Sequence, residues 1–176
     1  MAELKRAQKL DPLFPPMALG GVLYEMGLYD RAIAVFKDWL EMNPGYPSVI
    51  AWLANCYVKK NIYEEAISRA REALTLSGNP VFFQAWLARI YAQTGNKDDA
   101  RKTLEEVRRR GNDIDPEYIA SVYAALDDKE LAFEWLERAY ERHSDRLLWG
   151  LKSAAYELLR TDPRYADLVR RIGFPE

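Results

Sequence analysis

The chain contains one histidine, His143, and one cysteine, Cys56. An acid–base pair or a metal site built on His143 needs partners at ligand spacing, and no His/Cys/Asp cluster provides them. Its neighbours Glu141, Arg142, Ser144 and Asp145 read as a solvated helix end, where an imidazole complements the dipole. Cys56 follows Asn55 with no adjacent cation to lower the thiol pKa, so it reads as a small buried side chain. Gly20-Gly21 lacks the spacing of a phosphate loop, and close packing explains Gly20. Arg108-Arg109-Arg110 ends a helical pattern, and Glu105 and Glu106 stand four residues before Arg109 and Arg110. That spacing predicts local ion pairs on a solvated face, not a nucleic-acid patch. No catalytic residue, metal ligand set or cofactor is expected, and the chain is not expected to be an enzyme.

The residues best suited to recognition are aromatic. Trp52 and Trp86 are 34 residues apart, and Tyr118 takes the equivalent place further on. Asn55 and Arg89 repeat the same step one helical turn later, with Tyr24 and Phe82 nearby. Rings flanked by a few polar groups offer an extended or helical peptide a large apolar contact and fixed orientation. The same tryptophans can instead pack between neighbouring helices, and both readings stand at this level.

A step of 34 residues positions all of them. It links Ala32, Ala66 and Ala100; Leu19, Leu53 and Leu87; and Gly20, Ala54 and Ala88. A fixed period of this length marks a stack of like units. The apolar spacing predicts helices near 16–26 and 30–42, 47–60 and 63–76, 81–94 and 97–110, then 115–126 and 128–142. Breaks are expected at Asn43-Pro44-Gly45, Ser77-Gly78-Asn79-Pro80 and Gly111-Asn112. Leu19, Leu23 and Met26 mark the inner face of the first helix, and Ala32, Phe36 and Trp39 that of the second. Ala132 falls 32 residues after Ala100, so the loop before it is two residues short.

Two backbone demands recur in each unit. Gly27, Asn61, Gly95 and Asp127 stand at the turn between paired helices, where a left-handed residue ends a helix and Gly, Asn and Asp are the tolerant choices. Small residues at 20/54/88/120 and 32/66/100/132 allow two helices to cross closely. Residues 147–160 follow a mostly helical pattern, and Thr161-Asp162-Pro163 starts another helix with a polar cap before Pro. Tyr165, Leu168, Val169 and Ile172 form its apolar stripe and Gly173 ends it. This tail suits a terminal element that covers the last apolar face of a stack. At the other end, Leu4, Ala7 and Leu10 predict a short helix over 1–10. Either the chain opens half-way through a repeat, as an excised fragment of a longer protein would, or this helix is an N-terminal cap.

The expected architecture is therefore all-α: a right-handed α-solenoid of antiparallel helix pairs with C-terminal capping helices. It forms one domain over 1–176, with a half repeat or cap at 1–12, repeats at 13–46, 47–80, 81–112 and 113–144, and a cap at 145–176. A net charge of −2 gives no pull toward nucleic acid or an anionic membrane, and no apolar run approaches a membrane span. One cysteine fits a reducing compartment, so a cytoplasmic location is expected.

Leu53-Ala54…Tyr57 followed by Ala66…Ala70…Ala73 resembles the tetratricopeptide repeat family, and the resemblance covers nearly all of residues 1–142. It departs at the family's early Trp, since Trp52 and Trp86 lie immediately before the marker leucines. Residues 122–126, 132–140 and 161–165 also resemble the ends of repeat regions in bacterial serine/threonine kinases and winged-helix regulators. The resemblance implies a protein-interaction module that holds a peptide or helix along a concave face lined by first helices. Some family members grip a terminal carboxylate with Lys and Asn. Here Met17, Gly21, Trp52, Phe82 and Trp86 hold those places, so a charged tail is not the expected ligand. The partner is expected to be a protein or peptide, with no nucleic acid and no membrane. Weak self-association through exposed solenoid ends is the alternative.

Overall fold

A computed structural model describes residues 16–110 and 114–173. The helix expected over 1–10 and the break at Gly111-Asn112 lie outside the described residues. Those residues fall into two compact units, divided after Gly78. Among them there is no strand.

The first unit holds α1 (Pro16–Glu25), α2 (Tyr29–Met42), α3 (Pro47–Lys59) and α4 (Tyr63–Leu76). α1 pairs with α2 and α3 with α4, and both members of the first pair also pack on α3. The second unit holds α5 (Val81–Gln93), α6 (Lys97–Arg109), α7 (Pro116–Ala125), α8 (Lys129–Glu141) and α9 (Asp145–Gly150). A 3₁₀ turn (Ala154–Leu159) and α10 (Pro163–Ile172) follow. α5 pairs with α6 and α7 with α8, and α7 also packs on α5 and on the 3₁₀ turn. Each unit is an all-α stack of helix pairs.

The turn chemistry follows the expected logic. Gly27, Asn61, Gly95 and Asp127 all have positive φ, at 72°, 59°, 84° and 63°. Each closes the same double hydrogen bond at its helix end: Asn61 N–H donates to Val58 O and Ile62 N–H to Tyr57 O, both at 2.9 Å. A left-handed residue lets the chain reverse while satisfying the last carbonyls. His143 is a fifth member, with φ 53°, its N–H donating to Tyr140 O and that of Ser144 to Ala139 O. The exposed imidazole of a helix end is thus also a backbone reversal, tolerated because His enters this region more readily than bulkier residues.

The small positions are contact points. Ala32, Ala54, Ala66, Ala88, Ala100, Ala120 and Ala132 have no exposed surface. A Cβ on Gly20 would sit 2.2 Å from the Phe36 ring, so α1 and α2 approach as closely as that ring permits.

Three expectations need correction. Met26 is exposed at 56%, because α1 ends at Glu25 and the chain is already turning. Residues 147–160 are not one helix: α9 stops at Gly150, and Ser153 caps the 3₁₀ turn by accepting from Ala155 N–H. Tyr156 leaves helical geometry there (φ −112°, ψ 16°), and its hydroxyl donates to Glu117 O at 2.6 Å. That long-range bond holds the segment against α7 in a bent form. The third concerns the arginine run. Arg108 pairs with Glu105 at 3.0 Å, three residues back, and Arg110 donates to Asn79 O at 2.8 Å. Arg110 lies past the last helical residue, so the four-residue register expected with Glu106 is lost there.

Candidate protein-binding faces

The seven residues singled out for recognition separate by unit. In the first, Tyr24 near the end of α1 meets Trp52 in the middle of α3, ring centroids 5.4 Å apart and nearly perpendicular at 72°. Trp52 also stacks on Phe36 of α2, at 6.3 Å and 24°. Phe36 is fully buried and Tyr24 is 7% exposed, so one side of Trp52 belongs to the core while the residue stays half-exposed. Asn55, on the same helix, is buried.

The second unit assembles a longer row. Phe82, at the start of α5, lies 5.2 Å from Trp86 and 4.9 Å from Tyr118 at the start of α7. It also lies 4.9 Å from Phe83. Edge-to-face and tilted ring pairs of this kind add attraction beyond area burial. The row has an arginine at each end. The guanidinium of Arg89 lies 5.0 Å from the Trp86 centroid, and that of Arg146 lies 5.6 Å from the Tyr118 centroid. Cation–π contact fixes the outer rings. Burial pushes the Tyr118 hydroxyl above its ordinary range, and Arg146 partly offsets this. Phe82, Trp86 and Tyr118 are all half-exposed.

Charge is scarce on this face. Arg89 and Glu117 are the only charged residues of α5 and α7, and both are buried, at 9% and 4% exposure. Glu117 accepts from Ser144 Oγ at 2.8 Å through one carboxylate oxygen. Arg146, exposed beyond the row, pairs with Asp115 at 3.1 Å. Arg89 and Asn55, expected as polar groups beside the rings, are thus built into the units instead of standing on the surface. The spacing places them one turn beyond the tryptophans, but burial depends on neighbouring helices that the spacing does not reveal. Arg146 and Glu117 were missed for the same reason, since their partners are distant in sequence.

Burial pushes the Cys56 thiol up to about 12, which keeps it protonated. Among the described residues, no group of three or more His, Cys, Asp and Glu could hold a metal ion. No helix among them is long and apolar enough to cross a membrane.

Comparison with known proteins agrees with this architecture. Residues 23–75 and 62–126 match the family model described as Tetratricopeptide repeat. The chain belongs to the tetratricopeptide repeat family. It is similar to the TPR repeat-containing protein YpiA of Bacillus subtilis (strain 168), with 24% identity over 147 residues. The match covers 79% of this chain and 34% of that protein, so the chain spans about a third of the relative's length. Repeats of this family generally mediate protein–protein interaction.

Proposed function

We propose that the first-helix face of each unit binds a peptide or helix of a partner protein, with Phe82, Trp86 and Tyr118 as the main contact in the second unit. The carrying observation is a row of three half-exposed rings on two helices whose only charged side chains are buried. Aromatic anchors with rigid support are the usual centres of binding energy. Arg89 acts here by holding the Trp86 ring, and Tyr24, Trp52 and Asn55 form the corresponding, more deeply packed face of the first unit. The segments likened to repeat ends of bacterial kinases and regulators give this reading a regulatory setting inside a larger protein. A phage-displayed peptide library selected on the full chain tests it. Trp86→Ala and Arg89→Ala should each release the selected peptides while helicity by circular dichroism is kept. Unchanged affinity in both variants sinks the proposal.

A second reading, self-association, is favoured by exposed apolar side chains in the first unit. Met42 (71%), Met26 (56%) and Leu76 (49%) are uncovered. Light scattering over a concentration series should then show mass rising with concentration, and a constant monomer mass rejects this reading.

A further inference from the structure

The last helix, α10, is held on α8 by two equivalent clasps. In the first, Arg164 donates to both carboxylate oxygens of Glu130, at 2.8 and 3.0 Å, and lies 4.3 Å from the centroid of Phe133. In the second, Arg171 bonds Glu137 and lies 4.7 Å from the centroid of Tyr140. Each arginine stands 34 residues after its glutamate, so the clasps join equivalent positions of successive second helices.

These clasps carry a charge key. α2, α4, α6 and α8 each have an acid at their second residue: Asp30, Glu64, Asp98 and Glu130. At the same place α10 has Arg164. Among the described second helices, only α10 is therefore complementary to α8 there. Any other would set acid against acid, and like charges in contact disfavour pairing.

Apolar burial beneath α10 is thin. Leu168 is its only fully buried residue. A cleft of about 340 Å³ opens beside its C-terminal half, lined by Tyr140, His143, Leu147, Arg171 and Ile172 among others. The link from the 3₁₀ turn is only Arg160 to Asp162. Every group that α10 brings to the clasps lies on α10 itself, and every group that receives them lies on α8. The same contacts can thus form between two chains.

From this the geometry points to an exchangeable arm: the α10-facing side of α8 is a docking surface for the α10 of a second copy, taken in place of the chain's own. Swapping an identical element is a low-cost route to a dimer because the interface already exists. This gives the self-association reading a definite surface, and it does not depend on the ring faces.

Complementation of charge-reversed chains tests it. In Glu130→Arg, arginine faces arginine; in Arg164→Glu, glutamate faces glutamate. Neither chain can close its own first clasp. When the two are mixed, each α10 finds the opposite charge on the other chain's α8. The expected result is a one-to-one heterodimer with doubled mass by light scattering and slowed amide exchange in α10. The double variant Glu130→Arg with Arg164→Glu, in one chain, should return to the wild-type mass. Two variants that stay separate on mixing overturn the proposal. Should either single variant lose helicity, Glu130→Cys and Arg164→Cys chains mixed with a short bismaleimide replace them. A covalent heterodimer supports exchange, and its absence overturns it. Failure of complementation while the wild-type chain still associates leaves self-association to the exposed apolar side chains and removes the arm.

Discussion

Trp52 and Trp86 occupy the same place in successive repeats, yet they rest on different things. Trp52 stacks on the fully buried Phe36 and meets the nearly buried Tyr24. Trp86 meets Phe82, itself half-exposed, and lies under the guanidinium of Arg89. The first unit draws its ring into the core, and the second supports its ring from within a surface row. The period dictates where a ring starts. What covers it depends on the size of neighbours that the period leaves free to vary. Phe36, Ala70 and Leu104 stand in one register position, opposed in the sequence pattern to Gly20, Ala54 and Ala88. The largest residue goes with the missing side chain.

The contrast breaks most readily at the tryptophans. Trp52→Ala should destabilise the protein by about 3 kcal/mol, near the lower end for loss of a large packed aromatic. Trp86→Ala should lose less, about 1 kcal/mol, because its ring partner Phe82 is itself half-exposed. Urea denaturation measures both, and equal losses would erase the distinction between the two rings. Next comes the Gly20 contact. Gly20→Ala forces a methyl into the Phe36 ring and should destabilise by about 2 kcal/mol. Adding Phe36→Leu should recover about 1 kcal/mol of it, as coupled neighbours are not additive. A strictly additive pair of losses would show that the two positions do not compensate each other.

The units differ again in their use of charge, and pH sharpens that difference. Asp162 caps α10 by accepting from Arg164 N–H, and the Arg164 side chain and that N–H hold its carboxyl down at about 2. The charged form is the one favoured by folding. Its contribution is present above the ordinary value of 3.8 and is lost as pH falls toward about 2. The Arg164 amide resonance should therefore report weakening of α10 within that window, and Asp162→Asn should reduce the dependence. The smallest effect belongs to the first unit. Cys56, with its thiol pushed up to about 12, should resist iodoacetamide at mildly alkaline pH in the folded chain and react in urea. Equal labelling in both states would place that thiol outside the core.

The parts of the fold legible in the sequence are those set by local backbone demands. Gly27, Asn61, Gly95 and Asp127 reverse the chain wherever a hairpin turns, and the alanines mark where helices touch. Most helix limits differ from the spacing only at their ends. The bend at Tyr156 was not legible, because it depends on a carbonyl 39 residues earlier. Among the candidate site residues, the period places Trp52, Trp86 and Tyr118 at equivalent points of first helices, but it does not show that Phe82 links Trp86 to Tyr118 while Trp52 packs with Tyr24 and Phe36. Nor does it show the burial of Asn55 and Arg89, since that needs the third dimension. The clasps on α10 were in reach: Glu130 with Arg164, and Glu137 with Arg171, repeat the period with opposite charge. A search for like residues passes over such pairs.

Gly27, Asn61, Gly95, Asp127 and His143 each reverse the chain at a helix end. In the genetic code, codons for asparagine, aspartate and histidine differ from one another by a single base, and aspartate is one base from glycine. A gene that copies this hairpin can therefore wander among four amino acids at its corner, one nucleotide at a time, without losing the bend. Substitutions that leave this small set meet steric strain instead. The corner is thus a place where copies can diverge in letter while keeping their shape.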